Sequence, residues 1–341
     1  MRCGYCAAAR EIVIQQRETP RPGSGEVLVR VRNCGVCGSD LHFYSGHFPP
    51  PPVCPGHEIA GQVAALGPGV EGWQEGDPVV VEPLLVCREC GFCRTGNYQL
   101  CPQLRLLGTM ADGGFADFLC VPAYTLFRTP PGLAFDVAAL AEPLAVTVHG
   151  LRLAGLGCGD RVAVLGAGTI GLLTVAAARA GGAGEVWITA RHPHQAEAAQ
   201  RLGATRVFSG PDGECELDAA AQEVAPDIVV ETVGGEANTL GQAIQTVRRG
   251  GVVVVLGVFT TQPAINGSLL VIKEVRVMGS MTYGRTVARA DFDVALRLLA
   301  AEPAKFASLI THRFELAELP QAFATAADKR SGAIKVTVEP A

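Results

Sequence analysis

Four cysteines, Cys87, Cys90, Cys93 and Cys101, follow the spacing C-x2-C-x2-C-x7-C. Four thiolates this close along a chain can close tetrahedrally around one zinc ion, at about 2.3 Å from each sulfur. A second set mixes its donor types: Cys37 within CGVCGSDLH (Cys34 to His42), then His57 and Glu58 within GHE after a proline-rich loop. Thiolate, imidazole and carboxylate together suit a catalytic zinc that keeps one position open for water or substrate. Asp40 is placed to orient His57 from behind. The third motif is GAGTIG, Gly166 to Gly171, directly after the apolar strand Val162 to Leu165 and opening an alanine-rich helix. Gly166 permits the tight turn, Gly168 lets the backbone approach a pyrophosphate, and Gly171 lets helix and strand pack closely. Thr169 and Ile170 begin the helix, whose free N–H groups and positive dipole face the anion.

The next strand, EVWIT, should end on an Asp or Glu for the adenosine ribose hydroxyls of NAD; it runs instead into Ala190, Arg191 and His192. A guanidinium fork pairs with a 2′-phosphate and a histidine adds a donor, so the site is shaped for NADP. The alternative is that Arg191 is a solvated loop residue and NAD is accepted with less discrimination. Other cysteines lack ligand spacing. Cys3 and Cys6 form a C-x-x-C pair in an extended segment with no partner pair, and Cys34, Cys54, Cys120, Cys158 and Cys215 are expected to be buried thiols. His149 and His312 carry no motif, and His47 and Phe48, beside the proline-rich loop, either line a substrate cleft or lie in a surface loop.

These residues need elements to hold them. At 341 residues the chain exceeds one core of usual size, and two domains are expected. From Val27 to Ala65 short β-branched runs are broken by Gly and Pro clusters, the texture of a barrel-like β domain. After Ala138 apolar strand, glycine turn and alanine-rich helix repeat, which predicts a doubly wound parallel sheet, an α/β Rossmann architecture. From Thr286 two helical stretches lead to a closing strand, AIKVTVEP, expected to return to the first domain. The expected boundaries are 1–145 for the β domain, with a metal lobe at about 84–104, then 146–285 for the nucleotide domain and 286–341 for the returning tail. Hydrophobic content of 48% and a net charge of -5 describe a globular protein without the basic footprint of a nucleic-acid or anionic-membrane binder. No apolar run requires a membrane helix, and the N-terminus lacks the pattern of a secretion signal. Twelve cysteines without such a signal favour metal ligation and free thiols in the cytoplasm.

CGVCGSDLH, GHE, VCRECGFCRTGNYQLC, EPLAVTVHG (Glu142 to Gly150) and GAGTIG stand in the order and at the approximate separations seen in zinc-dependent medium-chain dehydrogenases/reductases. The chain resembles this alcohol dehydrogenase superfamily over essentially its whole length. Glu142 followed by PLAV resembles the polyol, sorbitol and threonine dehydrogenase branch; liver-type enzymes place Cys there. The resemblance implies a mostly β, GroES-like catalytic domain beside a Rossmann domain, with one catalytic and one structural Zn²⁺ per chain. Cys37, His57, Glu58 and Glu142 would hold the catalytic ion, with Glu58 or Glu142 exchanging with water, and the cysteine ladder the structural one. Ser39 would accept the alcohol proton, His42 would pass it to solvent through the cofactor ribose, and Lys335 would touch the pyrophosphate.

The implied reaction moves a hydride between a secondary alcohol or polyol, or the matching carbonyl, and NADP(H), with NAD(H) possible. The alternatives are an NAD-dependent sorbitol, butanediol or threonine dehydrogenase and, from a different class, a non-catalytic zinc-stabilised nucleotide-binding protein. Homodimers or homotetramers are usual in the family. One departure bears on substrate: GSMTYG puts Thr282 before Tyr283 where sorbitol-type enzymes carry Arg-Tyr, which weakens the anchor for a polyol. Phe43, Tyr44, Phe48 and Met110 are candidate pocket walls.

Overall fold

The run EVLVRVRNCG is extended because its β-branched residues alternate, burying Val27, Val29 and Val31 while Arg30 and Arg32 face water. It is central to a seven-stranded sheet in which Glu26–Gly35 pairs with Glu58–Leu66, Phe118–Pro122 and Lys335–Glu339. The computed structural model describes residues 1–328 and 330–340. The chain divides into two units, Met1–Glu142 with Arg285–Ala341, and Pro143–Gly284.

In the first unit, register decides the placement of the chemistry. Gly35 lies opposite Glu58 on one side and Thr337 on the other. Cys37 therefore leaves the end of one strand as His57 enters the start of its neighbour, and Lys335 begins the third. Gly35 must be glycine, because a Cβ there would stand 1.9 Å from the Glu58 carboxylate. Behind these ends the core holds Phe115 and Phe323 edge to face at 5.4 Å, with Tyr44 at 5.6 Å from Phe323. Tyr44, expected to wall a pocket, is a core residue: its ring is held between the helix Gly38–Tyr44 and the helix Leu319–Ala327.

The second unit is a six-stranded parallel sheet. Arg161–Leu165, Glu185–Ala190, Arg206–Ser209, Ile228–Glu231, Val252–Val255 and Arg276–Gly279 are its strands, arranged in the order 3-2-1-4-5-6. Runs such as VVVV are almost wholly buried, as strands covered on both faces must be. The order reverses between the first and fourth strands, so a crevice opens beyond the C-terminal ends of Leu165 and Glu231. The long apolar stretch Val162 to Ala178 is thus a strand, a glycine turn and the helix Thr169–Ala180.

A buried acid fastens the cysteine-rich lobe to the first unit. Glu82, after the strand Pro78–Val81, accepts a hydrogen bond from the Tyr98 hydroxyl, and Arg285 is the cation that acts on it. The backbone N–H of Arg285 donates to the Gly96 carbonyl at 2.9 Å. Burial pushes the Glu82 carboxyl up to about 7. A carboxyl raised in the folded state stabilises the fold below its unfolded pKa of 4.5, and that contribution is lost as pH climbs towards 7. Relative to wild type, Glu82→Gln should therefore gain roughly 2–3 kcal/mol between pH 4.5 and 7.5. Thermal or urea unfolding of both proteins across that range measures it, and parallel curves would refute it.

Candidate active site

The cysteine ladder forms a closed cage. The Sγ atoms of Cys87, Cys90, Cys93 and Cys101 all lie within 4.8 Å of one another. Cys87 stands 3.8 Å from Cys93 and 3.5 Å from Cys101. Four sulfurs at 2.3 Å from one ion are about 3.8 Å apart, so this cage fits tetrahedral zinc with no open position. The short helix Gly91–Arg94 carries Cys93 and starts from Cys90. Backbone N–H groups of Glu89 and Cys90 pull the Cys87 thiol down to about 6, favouring the thiolate a metal requires.

The mixed set lies at the strand ends. Cys37 is the N-cap of the helix Gly38–Tyr44, His57 is buried, and Glu142 is buried in the first turn of the helix Ala141–Ala154. Burial alone would lower the pKa of His57. The negative charges of Cys37, Asp40 and Glu142, and a hydrogen bond with Cys37, more than offset it and hold the imidazole well above its usual value. Cys37, His57 and Glu142 thus gather sulfur, nitrogen and oxygen donors around one buried imidazole, a mixed set whose chemistry fits zinc. Asp40 accepts the Cys37 N–H at 2.9 Å through one oxygen, and its other oxygen is 3.9 Å from His57 Nδ1. Ser39 Oγ lies 3.4 Å from His57 Nε2. His42, three residues on, packs edge to face with His47 and Phe48 at 5.5 Å.

Glu58, beside this group, is paired with a buried cation. Both its oxygens lie 2.7 Å from Lys335 Nζ, which also donates to the Val36 carbonyl at 3.0 Å. Lys335 was expected at the pyrophosphate, and this is corrected: its side chain is 2% exposed, and its three protons are spent on Glu58 and Val36. Further expectations fail. Cys158, in the turn before the strand Arg161–Leu165, and Cys215, in the first turn of the helix Gly213–Glu223, are exposed rather than buried, and Cys120 is only half-buried.

In the second unit Gly166 has φ +96°, a left-handed conformation that glycine adopts freely. A Cβ on Gly171 would stand 1.9 Å from the Gly166 carbonyl oxygen. Gly168 is the N-cap of the helix Thr169–Ala180 and faces open space, so the turn fits a pyrophosphate. Thr189 Oγ1 accepts the Gly166 N–H at 2.9 Å, and Thr232 Oγ1 donates to the Leu165 carbonyl at 2.8 Å, clamping the turn from both sides. Glu231, fully buried, holds the facing loop by accepting from the N–H groups of Val233 and Gly234 and the Thr239 hydroxyl. No spacing in the sequence announces it. Arg191 is exposed and lines a cavity of about 560 Å³ with Asn238, Thr239 and Glu214. His192 is the N-cap of the helix Pro193–Leu202, its ring stacked on His194 at 5.5 Å.

Residues 23–131 match the family model of the alcohol dehydrogenase GroES-like domain, and residues 169–301 that of the zinc-binding dehydrogenases. Sorbitol dehydrogenase of Bacillus subtilis is 32% identical over all of this chain and 97% of its own length. L-threonine 3-dehydrogenase of Pyrococcus horikoshii is 33% identical over 92% of this chain and 89% of its own. Among solved structures, a Sinorhizobium meliloti 1021 protein bound to NADP aligns with a TM-score of 0.90 at 33% identity, over 99% of both chains.

Cys93→Ser should lower the zinc content by about one ion per chain and weaken folding, with cofactor affinity of the surviving protein nearly intact. Elemental analysis, calorimetry and a cofactor-binding isotherm on the purified variant check this. Well-folded protein with unchanged zinc would contradict it.

Proposed function

The chain belongs to the zinc-binding dehydrogenases with a GroES-like alcohol dehydrogenase domain, and from that membership we propose that it transfers hydride between a secondary alcohol or polyol, or the matching carbonyl, and NADP in preference to NAD. It is an NAD(P)-dependent oxidoreductase of the polyol and threonine dehydrogenase branch, which sets aside a non-catalytic nucleotide binder. Supporting the cofactor choice is one observation: the strand Glu185–Ala190 ends without a carboxylate, and Arg191 follows at the mouth of a cavity. The substrate is taken to be lightly hydroxylated, since Thr282 stands where an arginine would anchor a polyol.

Cys37, His57 and Glu142 are assigned as holders of the catalytic zinc, and the four-cysteine cage as the structural site. A zinc ion held there would make a substrate hydroxyl easier to deprotonate, and a nicotinamide bound at the glycine turn would supply the hydride acceptor. Asp40 orients His57 and the Cys37 backbone together. Lys335 neutralises Glu58, so the site carries one fewer unpaired anion. Ser39 and His42 lie three apart on one helix and so share a face, which supports a proton passing from the hydroxyl of one to the ring of the other. A cytoplasmic location is supported by the twelve cysteines, none of which is in a disulfide. Self-association as a dimer or tetramer is supported by the sheet's edge strand Arg276–Gly279 and the exposed Val271 and Ile272 beside it.

Cys37→Ala should lose about one zinc per chain and at least roughly a thousandfold in kcat while keeping its affinity for 2′,5′-ADP. Unchanged zinc content would sink the catalytic-zinc assignment. Arg191→Ala should lower kcat/KM for NADP by about tenfold to a hundredfold and leave that for NAD nearly unaltered. Steady-state rates with both cofactors decide it, and a retained NADP preference would overturn the cofactor reading.

A further inference from the structure

The carboxylate missing after the strand Glu185–Ala190 has a counterpart in space. Ala190 pairs with Ser209 of the neighbouring strand, and the chain then turns through Gly210 into the helix Gly213–Glu223. The first turn of that helix carries Glu214, whose Oε1 lies 3.8 Å from Arg191 Nη2. Both residues line the same cavity of about 560 Å³. A carboxylate in a first helical turn is favoured by the free N–H groups there. Asp218, the other acid lining this cavity, accepts from the Thr246 hydroxyl at 3.3 Å.

We propose that Glu214 is a specificity-determining residue for the cofactor: it accepts hydrogen bonds from the ribose hydroxyls of NAD and opposes the 2′-phosphate of NADP while competing for Arg191. The inference rests on the reading above, in which the adenosine end enters the cavity beside Arg191.

The Arg191–Glu214 pair is suited to this. At 3.8 Å it is an ion pair without a hydrogen bond, between side chains 75% and 58% exposed. Such a pair is worth little, so either partner leaves it at small cost. With a 2′-phosphate present, the guanidinium gains two charge-assisted hydrogen bonds, and the carboxylate is left facing a like charge. With a free ribose, the carboxylate gains two hydroxyl donors and the guanidinium stays as its neighbour. One pocket therefore offers a partner to each cofactor, and the balance between the two side chains sets the preference. Glu214 alone works against NADP.

The test measures 2′,5′-ADP and 5′-ADP binding by calorimetry on the full chain, for wild type, Glu214→Gln and Arg191→Ala. Glu214 is exposed, and an unchanged unfolding midpoint confirms that the variant is folded. Glu214→Gln should shift the ratio of the two affinities towards 2′,5′-ADP by about tenfold, through weaker 5′-ADP and tighter 2′,5′-ADP binding. A ratio that stays fixed or moves the other way overturns the inference. Arg191→Ala reads the underlying proposal separately: if it leaves 2′,5′-ADP binding unaltered, the NADP reading fails. In that event the 5′-ADP affinity of Glu214→Gln decides alone, a loss of about threefold or more upholding the ribose contact and no loss rejecting it.

Discussion

The pair between Lys335 and Glu58 is the constraint on which the first unit depends. Both side chains are almost completely buried, at 2% and 1% exposure, and they meet at 2.7 Å. Leaving either charge alone in that interior would cost about 3–5 kcal/mol. The pair fixes three strand ends at once, because Glu58 faces Gly35 across one ladder and Lys335 begins the strand on the other side. Cys37 and His57 grow from those ends, so a charge pair outside the proposed ligand set determines where the ligands stand. It also sets the electrostatics. Cys37, Asp40 and Glu142 act on His57, and without Lys335 a fourth anion would be pressed against them.

The two units answer different demands with different sheets. The antiparallel sheet can bring residues far apart in sequence to adjacent strand ends, which a mixed set of metal donors needs. The parallel sheet lines up every strand's C-terminal end along one edge, which a long dinucleotide needs. Glycine is used accordingly. Gly35 makes room for a buried carboxylate, whereas Gly166 and Gly171 let a helix start against a strand where backbone N–H groups are on offer.

Local features were legible in the sequence. The cysteine ladder reads directly because its four ligands sit on one short loop, and GAGTIG reads because its turn is set by the backbone itself. The alternation of strand and alanine-rich helix likewise fixed the doubly wound class. Long-range partners were not legible. Lys335 meets a residue 277 positions earlier, and nothing in AIKVTV distinguishes a lysine spent on a buried acid from one that reaches a phosphate. Tyr44 reads as a pocket wall until Phe323 is seen beside it. Glu82 and Glu214 lie in no motif, because their roles come from what burial or a neighbouring strand brings near them.

The strand Lys335–Glu339 carries a consequence for synthesis. During translation the whole of the nucleotide unit leaves the ribosome before Lys335 does, and that unit is one uninterrupted stretch of chain. It can close its sheet while the nascent first unit still holds Glu58 without a partner and its central strand without one neighbour. Until then Cys37 and His57 stand on unfinished strand ends. The protein thus completes its nucleotide half early and its proposed reactive centre late, so the centre is finished only after the chain around it has been made.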